Sequence, residues 1–410
     1  MHILYVCHYF PPEPGAPSAR GMETVQAWKA AGHDVSVVTC FPNHPTGVVP
    51  ESYRGRRYMR EVVDGVTVHR VWTYATPNKG FVKKTLSHLF FTIMAVLQGL
   101  GRVTRPDVVV TSSPTLFSGL AGWFMSRWFK VPFVFEVRDL WPAAIVALGM
   151  LKEGSLPVRL LEKLEMFLYR RAARVVVVTH AFKDALVARG LPADKVVVIT
   201  NGVDPQRYIP MPIQTDFRAE LGLKDEFVVQ YAGAHGVSHA LHVLIDVAKV
   251  MPDVHFLFVG DGAAKDDLIH RVQSQALTNV TFVPSQPKQR MPEVYATADV
   301  CLVPLRNIQL FETFIPSKMF EIMASGRPIV ASVAGEAANI LRDSGGAIVV
   351  PPEDSDGIAA AIRSLQRDAT LRAELGAKGR AFVMEHYDRK QLARRYLAVL
   401  EQACAQEALR

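Results

Sequence analysis

The chain has 410 residues, a formal net charge of +7 at pH 7 and 49% hydrophobic residues. This length exceeds one ordinary core and predicts two domains, and the composition is that of a globular protein, which excludes disordered and fibrous classes. Four scattered cysteines without a CxxC pair argue against a disulfide framework and favour a reduced, cytoplasmic setting. The opening MHILYVCHYF is predicted to be a strand and a loop, not a secretory signal.

Strand-like and helix-like stretches alternate through the first half. The predicted strands are residues 2–7, 34–40, 107–112, 132–137, 174–179 and 195–200, and the predicted helices include 18–31, 80–101, 115–129, 156–173 and 180–189. The strands are rich in Val and Ile and show little polar alternation, as expected when helices cover both faces of a parallel sheet.

A second series of this kind begins after Asp204-Pro205. Its predicted strands are residues 227–233, 254–260, 280–284, 299–305, 328–332 and 347–352. Two such series in tandem predict an α/β protein with two Rossmann-like, doubly wound parallel-sheet domains. The stretch TNGVDPQRYIP breaks the pattern, which places the boundary between residues 1–205 and 206–387.

The charge is unevenly distributed. Residues 1–205 contain 24 Lys and Arg against 15 Asp and Glu, a net charge of +9, whereas the remaining residues contain 22 against 24. The basic half predicts an anionic partner. No nucleic-acid-binding pattern appears, so we expect no nucleic acid partner, and an anionic membrane surface fits better.

An apolar run in the basic half supports that choice. Residues 86–101, LSHLFFTIMAVLQGLG, include Phe90 and Phe91 and follow Lys83 and Lys84. The run is too short and interrupted to predict a membrane span. Two interpretations remain: a helix buried against the sheet, or an interfacial patch, with these four residues on the acceptor or membrane side.

Ligands of parallel sheets bind at the carboxyl ends of strands, so the loops there are the candidate sites. After the first strand, Gly15 and Ala16 precede a predicted helix start at Ser18 and would let a phosphate or sugar approach the backbone. A Pro-rich connector is the alternative.

The loop YAGAHGVSHALHVL opens the second domain. Gly233 and Gly236 permit a tight turn, and His239 is a candidate phosphate contact, with a surface or capping histidine as the alternative. His235, His239 and His242 lack a carboxylate partner, so we predict no metal site. The later GDGAAK lacks the third glycine of a dinucleotide fingerprint and is weak evidence for NAD.

Lys318 and Glu321 begin the helix of FIPSKMFEIMASGRPIVAS, with Ser317 as the expected N-cap. A local ion pair explains Glu321, which suits the helix dipole, but not a lysine at the positive helix end. A lysine there indicates a bound anion, and the neighbouring carboxylate would accept hydrogen bonds from a diol. Lysine on a diphosphate and glutamate on a ribose predict a nucleoside-diphosphate site.

These pieces together resemble a GT-B glycosyltransferase of family 4 over essentially the whole chain. The matching segments are YFPPEPGAPSARGMETVQAWKAAGHDVSVVT, VRDLWP, NGVD, YAG, VGDG, YATADVCLVPL and SKMFEIMASGRPIVAS. The RDLWP and PSK pieces are similar to the bacterial branch of fucosaminyl and other N-acetylaminosugar transferases of surface-polysaccharide synthesis. The resemblance implies two domains facing a central cleft, with a C-terminal helix, about 388–410, completing the first domain.

The resemblance also implies residue roles. Glu321 matches the family's ribose-binding glutamate and Lys318 matches the branch's diphosphate lysine. Gly15 and Ala16 match the loop near the donor phosphates. The glycines of the YAG loop and Pro284 also fall on the donor side.

Three positions depart from the family pattern. Asp139 falls in the family's His-Asp pair beside the reacting sugar, but Arg138 replaces the histidine. The first glutamate of the family's pair is replaced by Thr313, with Glu312 one position away. The phosphate-binding Arg and Lys of the YAG loop correspond to Ala234 and His239.

The implied activity is retaining transfer of a sugar, an N-acetylaminosugar, from a UDP-sugar to a polyprenyl-diphosphate-linked or saccharide acceptor. Neither cofactor nor metal is expected, and the cytoplasmic face of the inner membrane is the expected location. A nucleotide-sugar epimerase of the same plan, an NAD-dependent oxidoreductase and a non-catalytic carbohydrate-binding scaffold are the alternatives.

Overall fold

The computed structural model describes residues 1–13, 15–44, 46–77, 81–113, 115–147, 149 and 151–409. The chain forms two compact units. Residues 1–200 together with 390–410 form the N-terminal unit, and residues 201–389 form the C-terminal unit. The change from one unit to the other falls a few residues before the boundary chosen from the sequence.

A single sheet runs through the N-terminal unit. Its strands are β1 (His2–Val6), β2 (Asp34–Cys40), β3 (Tyr58–Val63), β4 (Val66–Val71), β5 (Val108–Ser112), β6 (Phe133–Val137), β7 (Arg174–Val177) and β8 (Val196–Val198). Their order in the sheet is β3-β4-β2-β1-β5-β6-β7-β8. All pairs are parallel except β3 with β4, whose hairpin was not predicted. Asp64 and Gly65 form its turn with positive φ angles of 47° and 79°, as two-residue hairpin turns require.

Helices cover both faces of this sheet. They are α1 (Ala16–Ala30), α2 (Phe81–Gly99), α3 (Ser118–Phe129), α4 (Ala143–Ala147), α5 (Leu156–Arg171), α6 (His180–Ala188) and the C-terminal helix, named α15 below (Arg389–Ala408). Helices α2 and α3 pack on Leu4, Val6 and Val38. Helix α15 packs with α1 on the opposite face, where the rings of Trp28 and Tyr396 meet edge to face at 5.1 Å.

The C-terminal unit has a smaller, wholly parallel sheet. Its strands are β9 (Phe227–Ala232), β10 (Val254–Val259), β11 (Val280–Val283), β12 (Val300–Pro304), β13 (Ile329–Ser332) and β14 (Ala347–Val350), in the order β11-β10-β9-β12-β13-β14. Its helices are α7 (Asp216–Glu220), α8 (Leu241–Val250), α9 (Lys265–Ser274), α10 (Met291–Ala296), α11 (Lys318–Ala324), α12 (Gly335–Ser344), α13 (Ser355–Arg367) and α14 (Ala369–His386). Two buried clusters fill the two faces of the sheet. The predicted α/β class with two parallel-sheet units is confirmed.

Helix α2 is buried against the sheet along one side and exposed along the other. Phe91 and Ala95 are fully buried in the core, so the prediction that Phe91 lies on the membrane side is wrong. Phe90, Ile93 and Leu97 remain exposed. No helix within the described ranges is long and apolar enough to cross a membrane.

Candidate active site

Lys318 is the first residue of α11, and its ammonium group is enclosed by protein. Its Nζ atom lies 3.7 Å from the centroid of the Tyr231 ring at the end of β9. This Nζ is buried and has no hydrogen-bond partner among the described residues. Burial lowers the pKa of Lys318 to about 7, although Glu321 opposes the shift. An unpaired amine of this kind is costly to bury, which indicates that it serves a ligand.

Gly233 makes room for this amine. It has a φ of +144°, and a Cβ atom built there would lie 2.5 Å from Nζ of Lys318. Any other residue would therefore strain the backbone and displace the amine. The Tyr231 hydroxyl donates to the carbonyl oxygen of Ala234 at 2.7 Å, which fixes the turn after β9. The YAG segment thus shapes the surroundings of Lys318.

Glu321 does not pair with Lys318. Its Oε2 atom instead accepts a hydrogen bond of 2.8 Å from the hydroxyl of Tyr295 on α10, so the local ion-pair alternative does not describe the structure. Ser317 precedes the helix but makes no side-chain capping bond, and that prediction is wrong. Lys288 lies within electrostatic range of Glu321, and burial lowers its pKa to about 8.

The three histidines of the YAG loop do not converge. His239 lies beside the Tyr231 ring, at 6.0 Å between centroids, and burial followed by the charge of Lys318 lowers its pKa to about 4. His235 is fully buried with both ring nitrogens unpartnered in the described part of the chain. His242 instead faces Glu353 at 3.8 Å. Among the described residues, no three His, Cys, Asp or Glu side chains are grouped to hold a metal ion.

The remaining sequence candidates of the C-terminal unit, Gly236, Lys265 and Pro284, lie in loops or at the start of a helix. Gly236 precedes a short 3-10 helix at Val237–His239. Lys265 of GDGAAK binds Gly260 and Asp261 of its own loop, so it closes that turn. The backbone N–H of Ser285, the residue after Pro284, donates to the Asp261 carboxylate at 2.7 Å.

The two positions considered for the missing glutamate differ. The hydroxyl of Thr313 donates to the carbonyl oxygen of Leu310 at 2.7 Å. This bond lies within a 3-10 helix, so the hydroxyl already has a partner there. Glu312 is exposed in the same helix. Neither contacts Lys318 or Glu321 through any hydrogen bond of the described residues.

The N-terminal unit carries a second charged group, at the end of β6. Arg138 follows the strand, and its backbone N–H donates to Oγ of Ser113 at 2.7 Å. Burial lowers the pKa of the Arg138 guanidinium and raises that of the Asp139 carboxyl. In β6 itself, Glu136 is buried and pairs with Arg20 of α1 at 2.9 Å.

The loop after β1 is the other sequence candidate of the N-terminal unit. Gly15 adopts a φ of +114° immediately before α1, which begins at Ala16, two residues before the predicted start. Glu13 is buried, and its Oε1 atom accepts backbone N–H groups of Asn43 and His44 at 2.7 and 2.9 Å. On α2, Lys83 is exposed and Lys84 is half-buried.

Sequence reasoning missed the tyrosines that shape the site. Tyr231, Tyr295 and Tyr208 are each buried, and the proximity of Glu321 raises the pKa of Tyr208 and Tyr295 further after burial. All three lie in or beside apolar runs, so they resemble ordinary core residues. Their hydroxyl groups could have marked them in the sequence, because a buried tyrosine hydroxyl needs a hydrogen-bond partner.

Comparison with known proteins identifies the family to which the chain belongs. The description "Glycosyl transferase 4-like domain" matches residues 15–202, and "Glycosyl transferases group 1" matches residues 226–368. WcaI of Escherichia coli K12, named for colanic acid biosynthesis glycosyl transfer, is 26% identical, with 96% of this chain and 98% of WcaI covered. A D-inositol 3-phosphate glycosyltransferase of Mycobacteroides abscessus is 30% identical, with 74% and 68% covered. The structure of HepE from Anabaena, in complex with UDP and glucose, matches with a TM-score of 0.73 at 19% identity, over 97% and 99% of the two chains.

Two parallel-sheet units of this kind define a glycosyltransferase fold of the GT-B class. The chain itself belongs to the group 1, family 4 glycosyltransferases, as the sequence resemblance indicated. It is therefore a glycosyltransferase. This supports the glycosyltransferase prediction over the epimerase, oxidoreductase and scaffold alternatives.

Proposed function

We propose that the protein transfers an N-acetylaminosugar from a UDP-sugar to a lipid-linked saccharide acceptor during synthesis of a bacterial surface polysaccharide. The similarity to WcaI supports the polysaccharide role. The fold shared with HepE, which binds UDP and glucose, supports a UDP-linked donor.

The observation that carries this proposal is the unpaired ammonium of Lys318. A diphosphate would supply the counter-charge that the described residues do not supply, and its binding would keep the lysine protonated. The missing Cβ atom at Gly233 leaves that amine room beside the backbone. Glu321, held by Tyr295 through one oxygen, has a second oxygen with which to accept a ribose hydroxyl.

We propose that transfer retains the anomeric configuration through front-face attack. The acceptor hydroxyl would enter on the side from which UDP leaves, so catalysis would rest on positioning and on stabilising the departing diphosphate. Lys318 would give that stabilisation without a metal ion. Within the N-terminal unit, we propose Arg138 and Asp139 as contacts for the acceptor.

We propose that the N-terminal unit meets the cytoplasmic face of the inner membrane. Exposed apolar side chains lie on α2 and also on α3 and α5, and α3 packs against both other helices. The large exposed side chains on these helices are Val82, Leu86, Phe90, Ile93, Leu97, Phe124, Trp128, Leu156 and Leu160. Lys83 and Arg127 add exposed positive charge, and this combination suits an anionic interface.

The first test is a thermal-shift series with UDP, GDP, dTDP, ADP and NAD, followed by UDP-N-acetylaminosugars. A ligand that binds only the folded protein raises the melting temperature by mass action. We expect a UDP-selective rise that Lys318→Ala abolishes and that EDTA leaves unchanged. A rise only with GDP, dTDP or NAD would refute the UDP donor.

A further inference from the structure

A cluster of imidazole rings lies at the carboxyl ends of β1 and β2 in the N-terminal unit, outside the groups assigned above. His8 follows β1 and His88 lies on α2, with ring centroids 4.8 Å apart. Only 4% and 2% of their respective surfaces are exposed. The ring of Tyr9 stacks edge to face with His8 at 4.7 Å and lies 5.0 Å from that of His44. These elements bring three histidines to the ligand-binding edge of a parallel sheet.

The buried rings have unused hydrogen-bonding atoms. The Nδ1 atoms of both His8 and His88 are buried without a partner among the residues that the structure describes. Buried polar atoms in folded proteins nearly always have a partner, so two neighbouring exceptions require an explanation. A ligand group that accepts hydrogen bonds from these nitrogens would provide one.

The charges around the cluster favour an anion. Lys84 lies one turn before His88 on α2, and its charge, second to burial, lowers the pKa of His44 and His88, that of His88 to about 3. For His8, burial is the largest cause, followed by His88 and Lys84. A lysine among the rings disfavours a metal cation, since like charges repel.

The acidic and thiol groups nearby are already committed or neutral. The Glu13 carboxylate accepts the backbone N–H groups of Asn43 and His44, and Arg70, which is near Glu13, pairs with Glu61. Burial raises the pKa of both Tyr9 and the Cys40 thiol, which keeps them uncharged. Among the described residues, no acidic side chain changes the pKa of His8, His44 or His88.

We propose that His8, His44, His88 and Lys84 form a binding site for the phosphate or diphosphate group of the sugar acceptor. The phosphate site is inferred from the histidine cluster alone. The assignment of the bound phosphate to the sugar acceptor rests on the proposed function. Protonated imidazoles and an ammonium are strong donors to phosphate oxygens. The outer side of the same helix carries Phe90, whose ring meets those of Trp72 and Tyr74 at 5.5 and 6.2 Å, a surface suited to an apolar chain attached to the phosphate.

Binding at this site is linked to protons. The histidines are neutral in the empty site because their pKa values are lowered, and a bound dianion raises those values again. Binding therefore takes up protons, and affinity rises as pH falls. Sulfate is the appropriate probe, because it remains a dianion throughout the range tested.

The test measures sulfate binding by calorimetry at pH 6, 7 and 8, in a Lys318→Met background that removes the donor-site amine. We expect sulfate to bind at least fivefold more tightly at pH 6 than at pH 8. Lys84→Met should weaken binding at least fivefold, whereas the adjacent, exposed Lys83→Met should have no effect. His88→Phe, which fills the same space without ring nitrogens, should remove most of the pH dependence. Equal binding by the Lys84→Met and Lys83→Met variants, or binding independent of pH, would overturn the proposal.

Two further measurements identify the source of the phosphate and separate this proposal from the donor assignment. Geranyl diphosphate binding at least tenfold more tightly than inorganic pyrophosphate would support a lipid-linked acceptor, and equal binding would support a soluble phosphorylated acceptor. Failure of both to bind would reject the site. With Lys318 intact, Lys84→Met should keep the full UDP-induced melting shift, so loss of sulfate binding with a normal UDP response would show a separate acceptor site.

Discussion

In the N-terminal unit, the buried carboxylate of Glu136 is met by Arg20 at 2.9 Å, and Arg138 and Asp139 follow it with one charge of each sign. In the C-terminal unit, Lys318 lies at the equivalent edge of its sheet with a buried Nζ and no partner in the described ranges. The first arrangement carries its own counter-charges, and the second requires one from outside. The charges at the end of β6 are therefore compensated within the protein, whereas the proposed donor site around Lys318 lacks a counter-charge among the described residues.

The sharpest test of this contrast removes the unpaired cation. Lys318→Ala should lower kcat by about 10²–10³-fold, since the departing diphosphate loses its main stabilising charge. Its melting temperature should be unchanged or higher, because an uncompensated buried amine is removed. Lys249→Ala, at an exposed position of α8, is the control for turnover. Near-normal turnover of Lys318→Ala would refute the role of the Lys318 amine in stabilising the diphosphate.

The opposite result is expected in the N-terminal unit. Arg20→Met should destabilise the protein by about 3 kcal/mol, because it leaves the Glu136 carboxylate buried without its partner. Denaturant unfolding measures this change. Adding Glu136→Gln to Arg20→Met should recover part of the lost stability. If Arg20→Met alone were as stable as the wild type, the Arg20–Glu136 ion pair would not be needed for stability.

Glu321→Gln should act on binding more than on turnover. We expect UDP to bind about tenfold more weakly, corresponding to one lost charge-assisted hydrogen bond of about 1.5 kcal/mol. Calorimetry with UDP gives the dissociation constant. Glu312→Gln, at the exposed neighbouring position, should bind UDP normally, and a similar loss there would assign the missing glutamate's role to Glu312.

The last expected effect is a pH dependence of donor binding. The pKa of Lys318 is lowered to about 7 in the empty protein, and a bound diphosphate raises it. Above pH 7 binding must therefore take up a proton, so UDP affinity should fall as pH rises, by at most about tenfold per pH unit. Lys318→Met should make the affinity nearly independent of pH between 7 and 9, and a slope equal to that of the wild type would exclude Lys318 as its source.

The sequence predicted most of the fold because fully buried parallel strands need uninterrupted Val- and Ile-rich runs, and these stand out. The antiparallel β3–β4 hairpin was missed although Asp64-Gly65 is a strong turn pair, because its strands alternate polar and apolar residues. Its β3 strand is half exposed along much of its length. Helix α2 was ambiguous because its two sides are both apolar, and only packing separates Phe91 from Phe90.

The candidate site was only partly predictable, for a related reason. Lys318 and Glu321 could be found because charges at the start of an apolar helix contradict their surroundings. Tyr231, Tyr295 and His88 agree with apolar surroundings, so their importance appears only when their polar atoms are located in space. A capping bond from Ser317 was expected from the local sequence, but its side chain makes no such bond in the structure.

The C-terminal helix α15 has a consequence for synthesis on the ribosome. It contributes Tyr396, Leu397 and Leu400 to a core whose members outside this helix lie between Ile3 and Ile199, so the first unit to emerge is the last to be completed. The C-terminal unit is one continuous segment and is ready to fold earlier. Until α15 emerges, the apolar face around Trp28 lacks this cover, and exposed apolar surface of this kind favours aggregation of a nascent chain.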